Sequence, residues 1–408
     1  MTKTVPGPGV DRCQVVVAGA GPVGTTIATL LAKAGVSVIV LEAGADCAQD
    51  LRASTFHPPT LEMLDEIGIT KMLLDKGLKA PVYHWRDRQS GEVIEFDMAE
   101  LSDVTRYPFR IQCEQYHLSR ALAEGLEAYP NADIRFNSRL LTFTQDDKGV
   151  DLSVETMVGI ERIRADFLIG ADGANSIVRK WLGTEFDGFT YPERFLTLST
   201  DVELADHLPN LALVNYVSDP EEWLVLLRVP SVWRVLVPVN GAVDEADLLS
   251  EANKNGIFGR LLGDGFEVKT HHRTLYRVHQ RVAKSFREGR VMLAGDASHL
   301  NNPLGGFGMN SGIHDAFNLF EKLMPVIQGK ADLETNLALY DRQRREVTHS
   351  FTQTQTKANM ALIGGKRDDA HTARRKELTD IRDNDEKRRA YLMRQAMFQS
   401  LNEAALIK

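Results

Sequence analysis

The order of hydrophobic and polar positions divides the N-terminal part of the chain into clear elements. An apolar run at 13–18 predicts a short buried strand. The segment that follows it, PVGTTIATLLAKAG, has the apolar spacing of a helix that ends at Gly35. A second apolar run at 36–42 predicts another buried strand. Two buried strands joined by a helix indicate a βαβ unit and hence a parallel sheet.

The pattern changes from residue 82 onward. Residues 82–98 alternate around Ser90-Gly91 and predict a β-hairpin. The further predicted elements are helices at 114–128 and about 311–328, and strands at 134–143, 150–157, 167–172 and 290–297, with four more strands between 195 and 239. Turn residues such as Pro230-Ser231 separate those four strands, and an antiparallel meander is the simplest arrangement for them.

These elements predict an α/β fold in which a second domain is inserted into the first. The three predicted regions are a discontinuous Rossmann-like domain of residues 11–81, 106–186 and 280–345, an antiparallel-sheet domain of residues 82–105 and 187–279, and a helical C-terminal region of residues 346–408. The charged tail from residue 366 has helical spacing, which predicts a solvated helix pair that caps the fold or touches a sister subunit. A homodimer therefore remains open.

The composition limits which kinds of binding partner and which cellular compartments we expect for this protein. The 408 residues carry a net charge of -8, which disfavours nucleic acid as a partner. The chain has three cysteines, Cys13, Cys47 and Cys113, and no pair of them has metal-ligand spacing, so we predict neither a disulfide framework nor a metal site. No apolar run is long enough for a membrane helix, and the first residues lack the apolar core of a signal peptide. We therefore expect a cytoplasmic protein that does not enter the membrane.

A glycine-rich turn between the first strand and the first helix points to a dinucleotide. Gly19, Gly21 and Gly24 form a GxGxxG sequence, which allows a tight turn, a close approach of the backbone to a pyrophosphate, and close packing of helix on strand. Glu42 ends the second strand, where a carboxylate accepts hydrogen bonds from ribose hydroxyls. Val23 and Ala43, which lie beside these residues, belong to the same predicted cofactor site.

Two later motifs give this turn a more specific meaning. Asp172-Gly173 lies in GADGANSIVR, and Gly295-Asp296 lies in AGDASHLNNPLGGFGMNSG. With these three motifs in this order, the chain resembles the single-component FAD-dependent aromatic hydroxylases over about residues 13–345. The resemblance implies that the Rossmann-like region is an FAD-binding domain and that the inserted sheet binds substrate.

The resemblance also implies roles for individual residues. Asp296 would bind the ribityl chain of FAD, and Pro303 would lie beside the reactive face of the flavin. The other implied cofactor contacts are Arg52 near the phosphates, Gln115 at the linking chain, Asp172 with Arg179 nearby, and the turn of Gly308, Met309 and Asn310 at the pyrimidine end of the flavin. That turn begins a helix, whose dipole can stabilise negative charge on reduced flavin.

The reaction that the resemblance implies is an aromatic hydroxylation. NADH or NADPH reduces the flavin, and O2 then forms a flavin C4a-hydroperoxide that transfers one oxygen to a phenol-like or hydroxypyridine-like ring. The sequence has no second nucleotide fingerprint, so it does not decide between NADH and NADPH. Alternatives are a halogenase or a reductase on the same scaffold, or an FAD-binding sensor without turnover. The Trp-rich GWxWxIP segment of such halogenases is absent from the sequence.

Candidate substrate residues lie in two places. His57, at the start of a predicted helix, is either a base that accepts a phenolic proton or a histidine that satisfies a backbone group. Arg234 corresponds to a position that lines the substrate cavity in relatives, although a slip of one residue would turn it to the other face. Leu224 and Leu226 fall where benzoate-type relatives place polar residues, which argues against a benzoate-like contact there. Tyr216 is a further candidate.

Overall fold

The computed structural model describes residues 10–49, 53–220, 222–263, 265–363 and 368–408, without the side chains of 362, 363 and 368–371. The strands are β1 Asp11–Ala18, β2 Val38–Leu41, β3 Thr55–Phe56, β4 Leu78–Ala80, β5 Val82–Asp87, β6 Val93–Asp97, β7 Arg110–Gln112, β8 Ala132–Arg135, β9 Arg139–Asp146, β10 Gly149–Thr156, β11 Gly159–Gly170, β12 Phe186–Thr200, β13 Val214–Ser218, β14 Leu224–Arg228, β15 Trp233–Asn240, β16 His272–Ala283, β17 Arg287–Glu288, β18 Val291–Leu293 and β19 His299–Leu300. The helices are α1 Pro22–Lys33, α2 Pro58–Glu66, α3 Thr70–Lys76, α4 Gln115–Leu126, α5 Ile177–Leu182, α6 Glu245–Leu248, α7 Glu251–Leu262, α8 Phe307–Ile327, α9 Leu333–Val347, α10 Thr354–Ile363, α11 Asp368–Asp383, α12 Asp385–Gln395 and α13 Phe398–Leu406.

The first sheet has a parallel core, as the sequence predicts. Its central strands lie in the order β18-β11-β1-β2-β8, and all of these pairings are parallel. Val15, Val16 and Val17 of β1 are fully buried, in a core to which α1, α8 and the β9–β10 hairpin contribute side chains. The β9–β10 hairpin adds antiparallel strands to β11, and β17 pairs antiparallel with β18 at the end of the sheet opposite to β8.

The second sheet has eight strands in the order β19-β16-β12-β15-β14-β13-β5-β6. The expected meander is correct for β13, β14 and β15, but it is wrong for the first strand. β12 crosses to the far side and pairs with β15, because the long connection of residues 201–213 allows it to bypass β13. β13 instead pairs in parallel with β5, so the predicted hairpin at 82–98 extends this sheet.

Several boundaries differ from the sequence prediction. The strand expected at 134–143 is two strands, separated where Asn137 has φ +51°. The helix expected from 311 begins at Phe307, four residues earlier. The predicted boundary between residues 279 and 280 falls inside β16, so the division into three regions stays a prediction.

The C-terminal tail forms three helices rather than the expected solvated pair. Leu378, Tyr391, Leu392 and Phe398 are buried against the β5–β6 hairpin, so the tail caps the second sheet with an apolar face. The sequence pattern does not reveal this apolar face, because charged residues dominate the composition of α11 and α12. Within the described ranges, no helix combines the length and apolar character that crossing a membrane requires.

Candidate active site

The glycine turn after β1 leaves space for a ligand at one position only. A Cβ at Gly19, which has φ +103°, would overlap the carbonyl oxygen of Ala171, and a Cβ at Gly24 would overlap the carbonyl oxygen of Gly19. No atom lies within 4 Å of the position that a Cβ would take at Gly21. Gly19 and Gly24 therefore pack the turn, whereas Gly21 opens it toward the neighbouring cavity.

Glu42 holds the shape of this turn from the end of β2. Its Oε2 accepts a hydrogen bond from the Ala20 backbone N–H at 2.9 Å, and its Oε1 accepts one from Gly44 N–H at 2.9 Å. Val23 lines the cavity, whereas Ala43 is exposed beside the acid. Arg52, the predicted phosphate contact, lies outside the described residues.

Asp296 projects from a loop that a buried ionic network fixes. The side chain of Asp296 is exposed to the cavity. Behind it, the fully buried carboxylate of Asp315 accepts hydrogen bonds from Gly295 N–H at 3.0 Å, from His299 Nε2 at 2.8 Å and from Arg344 Nε at 2.6 Å. Despite desolvation, Arg344 and His299 lower the pKa of Asp315 to about 2. The Gly295-Asp296 loop is therefore held by a charged carboxylate.

The Asp172 and Arg179 side chains stabilise a loop rather than line the cavity. Asp172 caps α5 by accepting hydrogen bonds from the backbone N–H groups of Ile177 and Val178 and from Ser176, and burial raises its pKa. Arg179 is 6% exposed and donates to the carbonyl oxygens of Ala297 at 2.8 Å and Ala174 at 2.7 Å. It thereby joins the loop after β11 to the loop after β18.

One continuous cavity of about 380 Å³ joins these loops to the second sheet. Gly21, Pro22 and Val23 lie at one end of its wall, and Gly173, Ala174, Gln115 and Asp296 also face it. Pro303, Gly305, Gly306, Gly308 and Met309 form another part of the wall, at the N-terminus of α8. The cavity thus connects the motif residues, which are distant in sequence, along one path.

Asn310 lies next to this wall, and its side chain forms hydrogen bonds with the surrounding backbone. Its side chain donates to the carbonyl oxygens of Thr55 at 2.8 Å and Gly306 at 2.6 Å, and accepts from His57 N–H at 3.0 Å. Asn310 is fully buried. We infer that it positions the turn that begins α8, while Gly308 and Met309 face the cavity.

The second sheet closes the cavity with a mixed aromatic, apolar and cationic face. The residues that it contributes are Thr197, Tyr216, Val225, Leu227, Arg234, Leu236, Tyr276, Arg277, Val278, His279 and Leu300. Arg234 is only 5% exposed, and its Nη1 lies 3.5 Å from Ser54 Oγ. Arg234 and Tyr216, which the sequence singles out, therefore line the cavity, as do Thr197 and Tyr276, for which the sequence gives no signal.

The assignment of Leu224 and Leu226 to the cavity is wrong by one residue. Both side chains are fully buried on the opposite face of β14, in a core that includes Ile257 and Phe258 of α7. Side chains alternate along a strand, so Val225 and Leu227 face the cavity instead.

This register predicts different effects for two neighbouring leucines. Leu227→Ala should change the apparent KM for an aromatic substrate by several-fold and leave thermal stability nearly unchanged. Leu226→Ala should lower the free energy of unfolding by about 2–5 kcal/mol and leave KM close to that of the wild type, because it opens a void in the core. Steady-state kinetics and urea unfolding of both variants provide the comparison, and a KM effect confined to Leu226→Ala would contradict the register.

His57 is placed as a structural histidine, the second of its two interpretations from sequence. It is fully buried, and its Nε2 lies 2.8 Å from the carbonyl oxygen of Gly305. A carbonyl oxygen only accepts, so Nε2 carries the hydrogen. Burial and the Arg110 charge hold the pKa of His57 well below its usual range. His57 is not among the residues that line the cavity in the described part of the chain, which does not fit a base in contact with substrate.

Because a second histidine, His314, is also buried, we expect the free energy of unfolding to depend on pH. His314 contacts Thr60 Oγ1 at 3.0 Å, and burial with the nearby Arg344 lowers its pKa to about 3. Between about pH 6.5 and pH 3 the unfolded chain therefore binds a proton that the folded chain does not, so stability falls as pH falls, by about 1.4 kcal/mol per pH unit for each such histidine. Urea unfolding between about pH 7 and pH 5 should show this slope.

Two variants separate this effect from general acid sensitivity. His314→Gln should reduce the slope, and the matched change at the exposed His207 should leave it unaltered. Equal slopes in His314→Gln and wild type would show that His314 does not stay neutral in the folded state.

One cluster near α4 brings a thiol, a carboxylate and an imidazole together. The ligand atoms of Cys113, Glu114 and His117 lie within 4.8 Å of one another. Burial raises the pKa of Cys113 to about 12, so its thiol stays protonated, which is unfavourable for metal binding. Glu114 accepts a hydrogen bond from Ser231 Oγ. We assign no metal to this cluster.

Comparison with known proteins agrees with this geometry. A family model described as an FAD binding domain matches residues 12–355. The chain belongs to this family. As a member of the FAD binding domain family, it uses FAD as its cofactor.

Among its relatives in this family are enzymes that act on substituted rings. The chain is 36% identical over 354 residues to a para-nitrophenol 4-monooxygenase from Pseudomonas sp. (strain WBC-3), covering 86% of this chain and 87% of that protein. It is 34% identical over 344 residues to the 6-hydroxy-3-succinoylpyridine 3-monooxygenase HspB from Pseudomonas putida (strain DSM 28022 / S16), covering 81% of this chain and 84% of that protein.

A solved structure shows the same fold over nearly the whole chain. The p-nitrophenol 4-monooxygenase PnpA from Pseudomonas putida DLL-E4 is 32% identical and superposes with a TM-score of 0.90, covering 96% of this chain and 99% of that one. The predicted FAD-binding α/β fold is therefore confirmed, and the protein is a flavin-dependent aromatic hydroxylase.

Proposed function

We propose that this enzyme hydroxylates a phenol-like or hydroxypyridine-like ring that binds as an anion, with NAD(P)H and O2 as co-substrates. The observation that carries the proposal is Arg234, a buried guanidinium in the part of the cavity wall that Tyr216, Val225 and Leu227 also form. Its N–H groups and positive charge can bind an anionic ring oxygen, whereas a neutral hydrocarbon offers them no acceptor. The para-nitrophenol and hydroxypyridine names of two relatives fit the same chemistry.

We assign the two ends of the cavity to the two ends of FAD. Gly21 and the N-terminus of α1 would hold the pyrophosphate, because the backbone there is open and carries the positive end of the helix dipole. Asp296 would accept hydrogen bonds from the ribityl hydroxyls, and Pro303, Gly308 and Met309 would lie along the flavin ring. When bound, FAD supplies hydride acceptance from NAD(P)H and the activation of O2.

The protein's own residues would position the ring and exclude water. Arg234 attracts the ring oxygen and favours the ionised form of a phenol, which is the more electron-rich form. Tyr216 and Tyr276 border the ring, and Val225 and Leu227 supply an apolar floor that keeps water out of the reacting region. The reaction therefore depends on placement of the ring and on the charge of Arg234 rather than on His57.

A substrate panel tests this proposal. NADH and NADPH oxidation by the FAD-loaded enzyme should rise at least tenfold with 4-nitrophenol or a hydroxypyridine, and it should change little with nitrobenzene or toluene. Hydroxylated product, identified by chromatography and mass spectrometry, should accompany the stimulated oxidation. NAD(P)H oxidation that no member of the panel stimulates would favour a reductase or a sensor without turnover instead.

A further inference from the structure

One wall of the cavity is a glycine-rich loop of residues 301–306, which connects β19 to α8. Pro303, Leu304, Gly305 and Gly306 of this loop all line the cavity. Gly305 has φ +95° and Gly306 has φ +70°, so two adjacent residues lack the backbone restriction that a Cβ provides. The shape of the loop therefore depends on bonds from neighbouring elements.

The same loop joins the two walls of the cavity. The side chain of Leu304 is buried in one apolar cluster with Val225 and Leu236 of the second sheet, and both of these also line the cavity. Pro303, the preceding residue, would lie along the flavin in the assignment above. A shift of this loop would therefore move the flavin side of the cavity relative to the side that binds the ring.

Asn302 ties the start of the loop to β16 and α10 through a network of buried polar groups. Its Nδ2 donates to the carbonyl oxygen of Thr356 at 2.9 Å, and its Oδ1 accepts from Leu304 N–H at 3.1 Å. Its backbone N–H donates to Gln280 Oε1 at 3.1 Å. Gln280 Nε2 in turn donates to Thr356 Oγ1 at 2.8 Å, so the network is closed. All four residues are buried.

Asn359 contacts the middle of the loop from the next turn of α10. Its Nδ2 donates to the carbonyl oxygen of Leu304 at 3.3 Å. Its Oδ1 accepts from Gln355 Nε2 at 2.9 Å and from Gln395 Nε2 of α12 at 3.1 Å, which directs the NH2 group toward the loop. A Cβ at Gly305 would lie 2.8 Å from Asn359 Nδ2, so the amide packs directly on the loop backbone.

The helix that carries these side chains has an unusual turn at this point. α9 continues into α10 through a π-helical turn at Thr348–Gln353. A π turn adds one residue and so rotates the rest of the helix by about 100°. Gln353, its last residue, donates from Nε2 to the carbonyl oxygen of Leu300 at 2.9 Å. Gln353, Thr356 and Asn359 therefore all bond the chain around this loop.

We propose that Asn302 and Asn359 are positioning residues that fix the 301–306 loop, so that the C-terminal helices determine how much of the consumed O2 ends in product. This inference rests on the proposed function. In coupled turnover, NAD(P)H, a proton, O2 and the ring give NAD(P)+, water and the hydroxylated ring. With the ring misplaced, NAD(P)H, a proton and O2 give NAD(P)+ and hydrogen peroxide, and the ring is unchanged. Small misplacements are sufficient for such losses.

The experiment compares FAD-loaded wild type with Asn359→Leu and Asn359→Asp. The first readout is the ratio of hydroxylated product to hydrogen peroxide, with 4-nitrophenol or a hydroxypyridine at saturation, together with KM for that ring. The second needs no turnover: it is hydrogen–deuterium exchange at the backbone amides of Leu304 and Gly306. These N–H groups bond Asn302 Oδ1 and the carbonyl oxygen of Pro303, and both partners stay in place in the two variants.

Gln343→Leu is the matched control. Gln343 of α9 is also a buried amide, and its partners are the carbonyl oxygen of Ile407 at 2.8 Å and Asn318 Nδ2 at 2.9 Å. Its removal therefore costs the C-terminal region similar hydrogen bonds at a place outside the loop. It should leave the ratio of product to peroxide and the exchange of Leu304 and Gly306 close to those of wild type.

We expect Asn359→Leu to lower the ratio of product to peroxide about tenfold and to accelerate exchange of the two loop amides about tenfold. KM should stay within about twofold of wild type, because the ring-binding side chains are unchanged. Asn359→Asp should behave alike, since a carboxylate still accepts from Gln355 and Gln395 but has no N–H for the Leu304 carbonyl oxygen.

Two results would overturn the proposal: a wild-type ratio in Asn359→Leu, whether or not exchange changes, or an equal fall in Gln343→Leu. If Asn359→Leu does not fold, Gln395→Leu decides, with an expected fall of about threefold in the ratio because it removes one bond that orients Asn359. Product formation by wild type with unchanged ratios in these variants removes only this inference. Absence of product from any ring in wild type removes the proposed function as well.

Discussion

Arg234→Met should lower kcat/KM for a phenolate substrate by roughly 100-fold, equivalent to about 2.7 kcal/mol. The guanidinium is buried in the cavity wall, so methionine preserves much of its volume while removing the charge that would face the ring in the proposed complex. Truncating one partner of a buried charge pair leaves the other charge without compensation, which accounts for a loss of this size. Stopped-flow measurement of flavin reduction and steady-state kinetics with 4-nitrophenol would show it.

The control for this change lies on the neighbouring strand. Arg228 pairs with Glu203 at a partly exposed position and is not among the residues lining the cavity, so Arg228→Met should change kcat/KM less than twofold. Arg234→Lys should recover part of the loss because it keeps the charge. If Arg234→Met and wild type were equally active, the anionic-substrate proposal would lose its main support.

The second large effect is expected at Asp315. Asp315→Asn should reduce the free energy of unfolding by about 3–5 kcal/mol, because it leaves the buried Arg344 without its counter-charge. FAD content after purification should also fall, since Asp315 holds the backbone N–H of Gly295 and thereby the loop that carries Asp296. Urea unfolding and the ratio of flavin to protein absorbance measure the two consequences.

A surface aspartate provides the comparison. Asp383 forms an exposed ion pair with Arg382, so Asp383→Asn should leave the free energy of unfolding close to that of the wild type and keep the full FAD content. Wild-type FAD content and stability in Asp315→Asn would show that the network does not support the loop.

The sequence predicted the cofactor half of the molecule well because its signals are local. Gly19, Gly21 and Gly24 lie within six residues of each other, and the turn requires glycine at Gly19 and Gly24 for steric reasons. The buried strands on either side are uninterrupted apolar runs. A strand, a turn and a helix that are adjacent in sequence are also adjacent in space.

The substrate half was harder because it depends on register and on distant contacts. Leu224 and Leu226 differ from Val225 and Leu227 only in which face of β14 they occupy, and no composition signal distinguishes two apolar faces. The crossing of β12 past β13 depends on pairing partners that lie far apart in the chain. Arg234 was identified only through resemblance to relatives.

The buried polar groups are the other feature that the sequence did not predict. Asp315, His299 and Arg344 come from three separate segments, and each looks ordinary in its own surroundings. The only hint in the sequence is that Asp315 lies within the apolar helix α8, where a charged side chain needs a partner. Arg110 and Gln112 on β7 show the same limit, because the open donors Arg110 Nε, Arg110 Nη1 and Gln112 Nε2 become visible only when the neighbouring elements of the described chain are in place.

Isotopic labelling of the product tests the central claim most directly. The FAD-loaded enzyme is supplied with NAD(P)H, 4-nitrophenol or a hydroxypyridine, and 18O-labelled dioxygen, and the product is analysed by mass spectrometry. We predict that one 18O atom enters the ring for each NAD(P)H oxidised during coupled turnover. Ring-independent oxidation of NAD(P)H that yields only hydrogen peroxide, with no 18O in any aromatic product across the panel, would contradict the account.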